Sequence, residues 1–223
     1  WRSAYPLLDL RMLRDNLPFT FSNLATFINY ASTASFMFFF SLYLQYVKDF
    51  SPQSAGLLLV VQPAVQALLA PLAGRLADSY PPARIATLGM AFCTVGLFFA
   101  ATIGADTSFT LIVAVMVMLG MSLGLFSTPN MSAIMGSVGP QHLGTAASMV
   151  STMRTTGMLF SATAIAVVLS IYLGDQAVDH GNVPLFVQSM QTSLYLFAGM
   201  SLVGTFFSMV KGRLADSIAA RRG

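Results

Sequence analysis

Charge is almost excluded from six long stretches of this chain, and that exclusion leaves one class of fold open to it. The stretches are Leu17–Val47, Ser51–Gly74, Ile85–Ala105, Thr107–Gly139, Leu143–Gly174 and Gly181–Val210. Each reaches the ~20 residues a helix needs to cross ~30 Å of hydrocarbon. The expected fold is therefore an all-α integral membrane protein with six transmembrane helices. Nine of the eleven Lys and Arg then fall on one side: Arg2, Arg11 and Arg14, Arg75 and Arg84, and Lys211, Arg213, Arg221 and Arg222. The other side carries Lys48 beside Asp49, with Asp106, Asp175 and Asp179. By the positive-inside rule both termini are expected in the cytoplasm, in a multi-pass protein of the cell membrane.

Hydrophobic residues make up 56% of the chain and charged ones 9%, against about a quarter charged in a soluble domain. The excess of base is thus explained by a cytoplasmic face against a lipid bilayer, and no nucleic acid partner is expected. Glutamate is absent, and the eight Asp lie at loops or helix ends. Cys93 stands alone inside the third stretch, so no disulfide forms within the chain, and a buried, inert thiol is expected. His142 and His180 belong to loops on opposite sides. The sequence contains no catalytic triad, no metal-ligand spacing and no nucleotide loop, so neither an enzyme nor a cofactor is expected. The start has no leader pattern. It opens on Trp1-Arg2-Ser3 rather than Met, and the expectation is a segment of something longer.

Residues 1–16 read as an amphipathic lead-in around Pro6–Leu10, suited to the membrane surface. Residues 17–210 form the six-helix bundle, and 211–223 a basic tail. Tyr43, Gln45 and Tyr46 suit the outer interface of the first helix. Ser51-Pro52 signals the start of the second helix, and Pro63 is expected to kink it. The fourth helix is rich in Met and Gly and is expected to end at Pro129-Asn130. Small residues such as Gly120, Gly124, Gly144, Ala147 and Gly157 are expected to let helices approach closely. The hexapeptide Gly-Arg-Leu-Ala-Asp-Ser occurs at 74–79 and again at 212–217, two helix ends with similar demands.

The short connection after the second helix holds Gly74, Arg75 and Asp78, followed by Arg84. Gly74 is expected to end the helix. Asp78 can then accept hydrogen bonds at the positive N-terminus of a neighbouring helix, the start of the fifth near Gln141–Thr145 being the candidate. Such a contact would hold the cytoplasmic side shut; the alternative is a solvated loop that only sets topology.

Arg154 lies about twelve residues into the fifth helix, ~18 Å at 1.5 Å per residue, near the bilayer centre. A charge there costs at least ~2.5–3.5 kcal/mol on insertion scales, so it must face protein or water. No carboxylate of this chain lies at that depth. Its expected partners are backbone carbonyls, Asn130 or an acid from elsewhere. Binding an anionic substrate group, tuning a carboxylate and stapling the helix to its neighbours all remain open as roles.

Several runs resemble the major facilitator superfamily, in particular the C-terminal half of its fourteen-helix drug:proton antiporters. The Gly74–Arg84 stretch is similar to the family's signature loop, and Leu42–Val47 with Ser51-Pro52 and Ala55-Gly56 to the region before it. Gly124-Leu125-Phe126, Pro129-Asn130, Ala133-Ile134-Met135, Val138, Gly144, Ala147-Ser148, Arg154 and Gly157 follow in matching order. Pro6–Leu10 with Arg11-Met12-Leu13-Arg14 is similar to the lead into the family's last six helices.

The resemblance implies one six-helix bundle built as an inverted three-plus-three repeat, whose partner is a second, N-terminal bundle. Helices one and four would line a shared cavity, two and five the moving interface, and three and six the lipid. Asn29, Phe36, Phe39, Gln62, Gln66 and Met121 become candidate contacts for a small amphipathic drug-like substrate, joined by Asn130 and Arg154. The plainer alternative is that the Phe and Met residues fill the bundle core. With every acid peripheral, protons would be coupled through the other half. The implied function is the C-terminal half of a proton-coupled multidrug efflux transporter working by alternating access. An exporter of one metabolite or antibiotic, and a half-length membrane scaffold or sensor, are the other readings.

Overall fold

The computed structural model describes residues 16–174 and 176–220, with side chains to Val210. The lead-in at 1–15, Asp175 and Arg221–Gly223 lie outside the described residues, as do the side chains of Lys211 and Arg213. Six helices among the described residues are long and apolar enough to cross a membrane, and the protein is a multi-pass membrane protein.

The first, α1 (Leu17–Tyr46), starts where the Asn16 side chain accepts from the Phe19 N–H at 3.1 Å, with proline in the first turn. The second span is two helices, α2 (Pro52–Leu59) and α3 (Val61–Ser79). Ser51 caps α2 by accepting from the Ser54 N–H at 3.2 Å. The break falls at Val60 because Pro63 has no N–H to donate to Leu59 and its ring crowds that carbonyl. The sequence-expected kink is thus an interruption three residues earlier.

The signature segment is not a loop. Gly74, Arg75 and Asp78 lie inside the last turns of α3, and the helix ends at Tyr80, whose extended φ −127, ψ 156 precedes Pro81. The cause is the Pro81-Pro82 pair, which pushes the preceding residue out of the helical region and then opens α4 (Pro82–Ala101).

The fourth span, α5 (Phe109–Gly136), runs through Pro129 rather than ending there. Proline removes one backbone bond, but ending a helix in hydrocarbon would free several groups with no water to take them. A short 3-10 turn (Pro140–His142) leads into α6 (Leu143–Leu173), and α7 (Val183–Ala220) continues into the basic tail.

The packing order is an arc. The pair α4 and α5 packs closely, as does α4 with α7; α3 lies on α5, α6 lies on α1, and α7 also packs on α1. A lighter α1–α5 contact closes the middle, leaving α3 and α6 at the two ends. Glycines set the closest approaches. A Cβ on Gly120 would stand 2.7 Å from the Gln62 carbonyl of α3, and one on Gly157 would stand 2.5 Å from the Phe27 carbonyl of α1. These two positions confirm the expectation of close packing, whereas Gly144 faces open space.

The end that carries residues 47–51, 101–108 and 176–182 is filled and fastened. Phe36, Phe39, Phe40, Tyr43, Met116, Phe186 and Met190 belong to one buried cluster. Around the α4–α5 loop, Tyr43 donates to the Gly104 carbonyl at 2.8 Å and Gln191 to Ile103 at 3.0 Å. Lys48 donates to Ala105 and Thr107 at 2.7 and 2.8 Å. Tyr43, expected at the interface, is buried instead. At the basic end Asn16 donates to the Ser137 carbonyl at 2.7 Å, and the Thr87 and Ser208 hydroxyls meet at 2.8 Å.

Candidate functional site

Toward the basic end the core gives way to a cleft of about 320 Å³ between α1, α5 and α6. Thr26 and Tyr30, one turn apart, line it from α1. The α5 wall includes Phe126, Ser127, Asn130 and Met131, and α6 contributes Val150 and Arg154. Helical spacing explains the selection on α1: residues 26 and 30 share one face, while Asn29 and Thr33, bonded at 2.9 Å, share another.

Arg154 lies over the Tyr30 ring, its guanidinium carbon 4.8 Å from the centroid. A cation over an aromatic face is held by the ring quadrupole, and the contact leaves its in-plane N–H donors uncommitted. No hydrogen bond or ion pair of Arg154 to protein occurs among the described residues. Tyr30 is fixed in turn by a 3.4 Å contact between its hydroxyl and that of Ser127. Asn130 donates to the Thr26 hydroxyl at 2.9 Å and the Ser22 carbonyl at 3.3 Å, tying α5 to α1 beneath the cleft. The Asn130 that the sequence offered as a partner for Arg154 thus braces the wall, and the aromatic ring of Tyr30 takes that place.

The other sequence candidates lie elsewhere. Asn29 is buried and donates to the Met90 sulfur of α4 at 3.3 Å. Phe36 and Phe39 are core: Phe36 packs on Phe40, and Phe39 faces Phe186 at 6.1 Å. Their phase points them into the bundle. Gln62 is buried where α3 meets α5, and Gln66 is half-buried, its backbone close to Gly124. Met121 is half-buried on α5 and does not line the cleft.

Of the gating set, Arg75, Asp78 and Arg84 are exposed at the basic end, and Gly74 is helical, near Thr128. The expected contact between Asp78 and Gln141–Thr145 is not formed, because α3 and α6 occupy opposite ends of the arc.

Sequence reasoning missed Tyr30 as a site residue and the surface beside it. On α6 the exposed residues from Ser148 to Thr156 include Ser151, Thr152, Arg154 and Thr155, a hydroxyl-bearing face. The signal was available in that run of Ser and Thr flanking an intramembrane arginine.

Comparison with known proteins fits this architecture. The Major Facilitator Superfamily pattern matches residues 23–213. The riboflavin transporter RibZ of Clostridioides difficile is 27% identical over 209 residues, 94% of this chain and 46% of the relative. The multidrug efflux pump LfrA of Mycolicibacterium smegmatis is 28% identical over 77% of this chain and 34% of the pump. The uncharacterized transporter YebQ of Escherichia coli is 30% identical over 74% of this chain and 36% of its own. The chain therefore spans between about a third and a half of the curated relatives it matches. With six membrane-capable helices and a pattern match over most of its length, this chain belongs to the Major Facilitator Superfamily.

Proposed function

We propose that the chain forms the C-terminal half of an alternating-access transporter that exports small amphipathic molecules across the cell membrane, both termini facing the cytoplasm. The observation that carries the reading is the hydroxyl face of α6 beside the Arg154 cleft. A Ser/Thr-rich, arginine-bearing face gains nothing from lipid, and polar membrane surfaces of this kind face protein or water. Docking a second six-helix bundle against α3 and α6 would cover it and complete a site between the two bundles. The share of the relatives' length that the chain spans is what such a half would give.

The packing order also supports an inverted repeat. Exchanging the first span with the fourth, the second with the fifth and the third with the sixth turns the α3–α5 contact into α6–α1, and α4–α5 into α7–α1. Three helices per unit reverse direction between units. In this reading the energy of protons enters through the partner bundle, since α1, α5 and α6 hold none of the eight Asp. The fourteen-helix drug:proton antiporters are the proposed subgroup, and the exposed acid and bases at the end of α3 are its proposed gate against the partner bundle.

Accumulation of dyes and drugs in energised everted vesicles carrying the native protein tests this. Uptake abolished by a protonophore is expected; absence of any energy-dependent uptake across a broad panel would overturn the reading. A single-metabolite transporter is the second reading, favoured by the 94% coverage of this chain by a relative named for riboflavin. Uptake of one flavin-like compound and no drug would select it.

A further inference from the structure

We infer that the Arg154–Tyr30 cleft selects planar compounds carrying a negative charge, in preference to the cations of the same shape. The inference rests on the reading of this cleft as a substrate site and adds the class of ligand. Three observations carry it. First, the cleft holds a permanent cation, and neither its lining nor any part of α1, α5 or α6 contains a carboxylate to neutralise it. The guanidinium therefore gives the cleft, as lined by this chain, a positive potential.

Second, Arg154 is positioned by the Tyr30 face rather than by an acceptor, and its N–H fork has no protein partner among the described residues. A fork whose donors are unsatisfied suits the two oxygens of a carboxylate or the oxygen of a phenolate. Third, the rest of the wall suits a flat aromatic body. Tyr30 offers a ring surface and Met131 a polarizable edge, and Ser127 adds a hydroxyl to the lining. A planar cation would meet the same surfaces but would be repelled by the guanidinium, with no acid on α1, α5 or α6 to offset it.

Fluorescein and rhodamine 123 isolate the charge, since both are built on a xanthene ring system and one is an anion where the other is a cation. Binding of each to the purified native protein in nanodiscs, read by fluorescence anisotropy, is the primary measurement. Transport in energised everted vesicles runs beside it. Fluorescein is expected to bind at least about tenfold more tightly than rhodamine 123, the scale of one charge-assisted hydrogen bond. Arg154→Gln should weaken fluorescein by that factor without weakening rhodamine 123. Arg154→Lys should recover only part, because the charge returns without the planar fork. Tyr30→Leu should also weaken fluorescein, because the face that positions Arg154 is lost.

Equal binding of the two dyes, tighter binding of the cation, binding of neither, or a parallel loss of both in Arg154→Gln would each overturn the inference. Preference for the cation would also place an acid of the partner bundle on Arg154. Selective, Arg154-dependent binding without energised uptake would uphold the inference and sink the transport reading. Energised uptake without charge preference would do the reverse.

Discussion

Two exposed surfaces of this molecule differ in kind. Along α4 and α7 the exposed residues include Leu88, Val95, Phe98, Phe99, Tyr195, Leu196, Leu202, Val203 and Phe206. Along α6 from Ser148 to Thr156 they are Ser148, Ser151, Thr152, Arg154, Thr155 and Thr156, and from Met158 onward that face is mainly apolar. Exposure in a membrane protein therefore has two meanings. Bulky apolar side chains are exposed because lipid covers them, whereas hydroxyls and a guanidinium need a protein or aqueous neighbour. In the proposed transporter α4 and α7 form the lipid face and the 148–156 stretch of α6 the working face.

The largest effect is expected from Gly157, whose closeness to Phe27 orients α6 against α1. A side chain there meets backbone, which cannot rotate away, so Gly157→Leu should exceed the ~1–3 kcal/mol of ordinary overpacking. Loss of a monodisperse peak after detergent extraction is the expected result. A folded, fully active Gly157→Leu would show that α6 is free to reorient and would erase the distinction between the two surfaces.

Next comes charge placed on each surface. Leu196 stands near the middle of the last span with 62% of its surface exposed, so Leu196→Lys should cost ~3 kcal/mol of membrane insertion and lower the amount of protein in the membrane. Thr155→Lys, at similar depth on α6, should insert far better and impair transport instead. Comparing membrane-fraction yields of the two variants decides it. Equal yields would mean that lipid covers both faces.

Asn130→Ala sharpens the comparison from the inside. Its bonds to Thr26 and Ser22 join the two helices that floor the cleft, and interhelical bonds in membranes are worth about 1 kcal/mol or less. A lowering of the melting temperature by a few degrees is expected, with weakened binding in the cleft. A variant matching the parent in both would remove Asn130 from the brace.

Much of the architecture was legible in the sequence because the membrane enforces it. Six spans, their approximate limits and the Ser51 cap follow from length, hydropathy and one local hydrogen bond. The site was less legible for a matter of angle. Asn29 and Tyr30 are neighbours in the chain but ~100° apart around α1, and only the packing of α4 shows which of them faces the core. Arg154 was visible because a charge at that depth demands an explanation, whereas Tyr30 resembles any interfacial aromatic. The end of α3 misled because glycine, a common helix terminator, was given more weight than the Pro81-Pro82 pair that actually stops the helix.

The smallest effect belongs to the surface that meets water. Lys48 is partly exposed, and its two bonds hold the α4–α5 loop by carbonyls at Ala105 and Thr107. In water each such bond replaces one to solvent, so its net worth is modest, and immobilising a long side chain offsets part of it. Lys48→Met should lower global stability by less than about 1 kcal/mol. The local consequence should be clearer: faster hydrogen exchange around residues 103–107, with no change at the Arg154 cleft near the other end. Exchange that accelerates at both places would mean that the fastened end and the cleft are coupled, and that the loop clasp takes part in opening and closing the bundle.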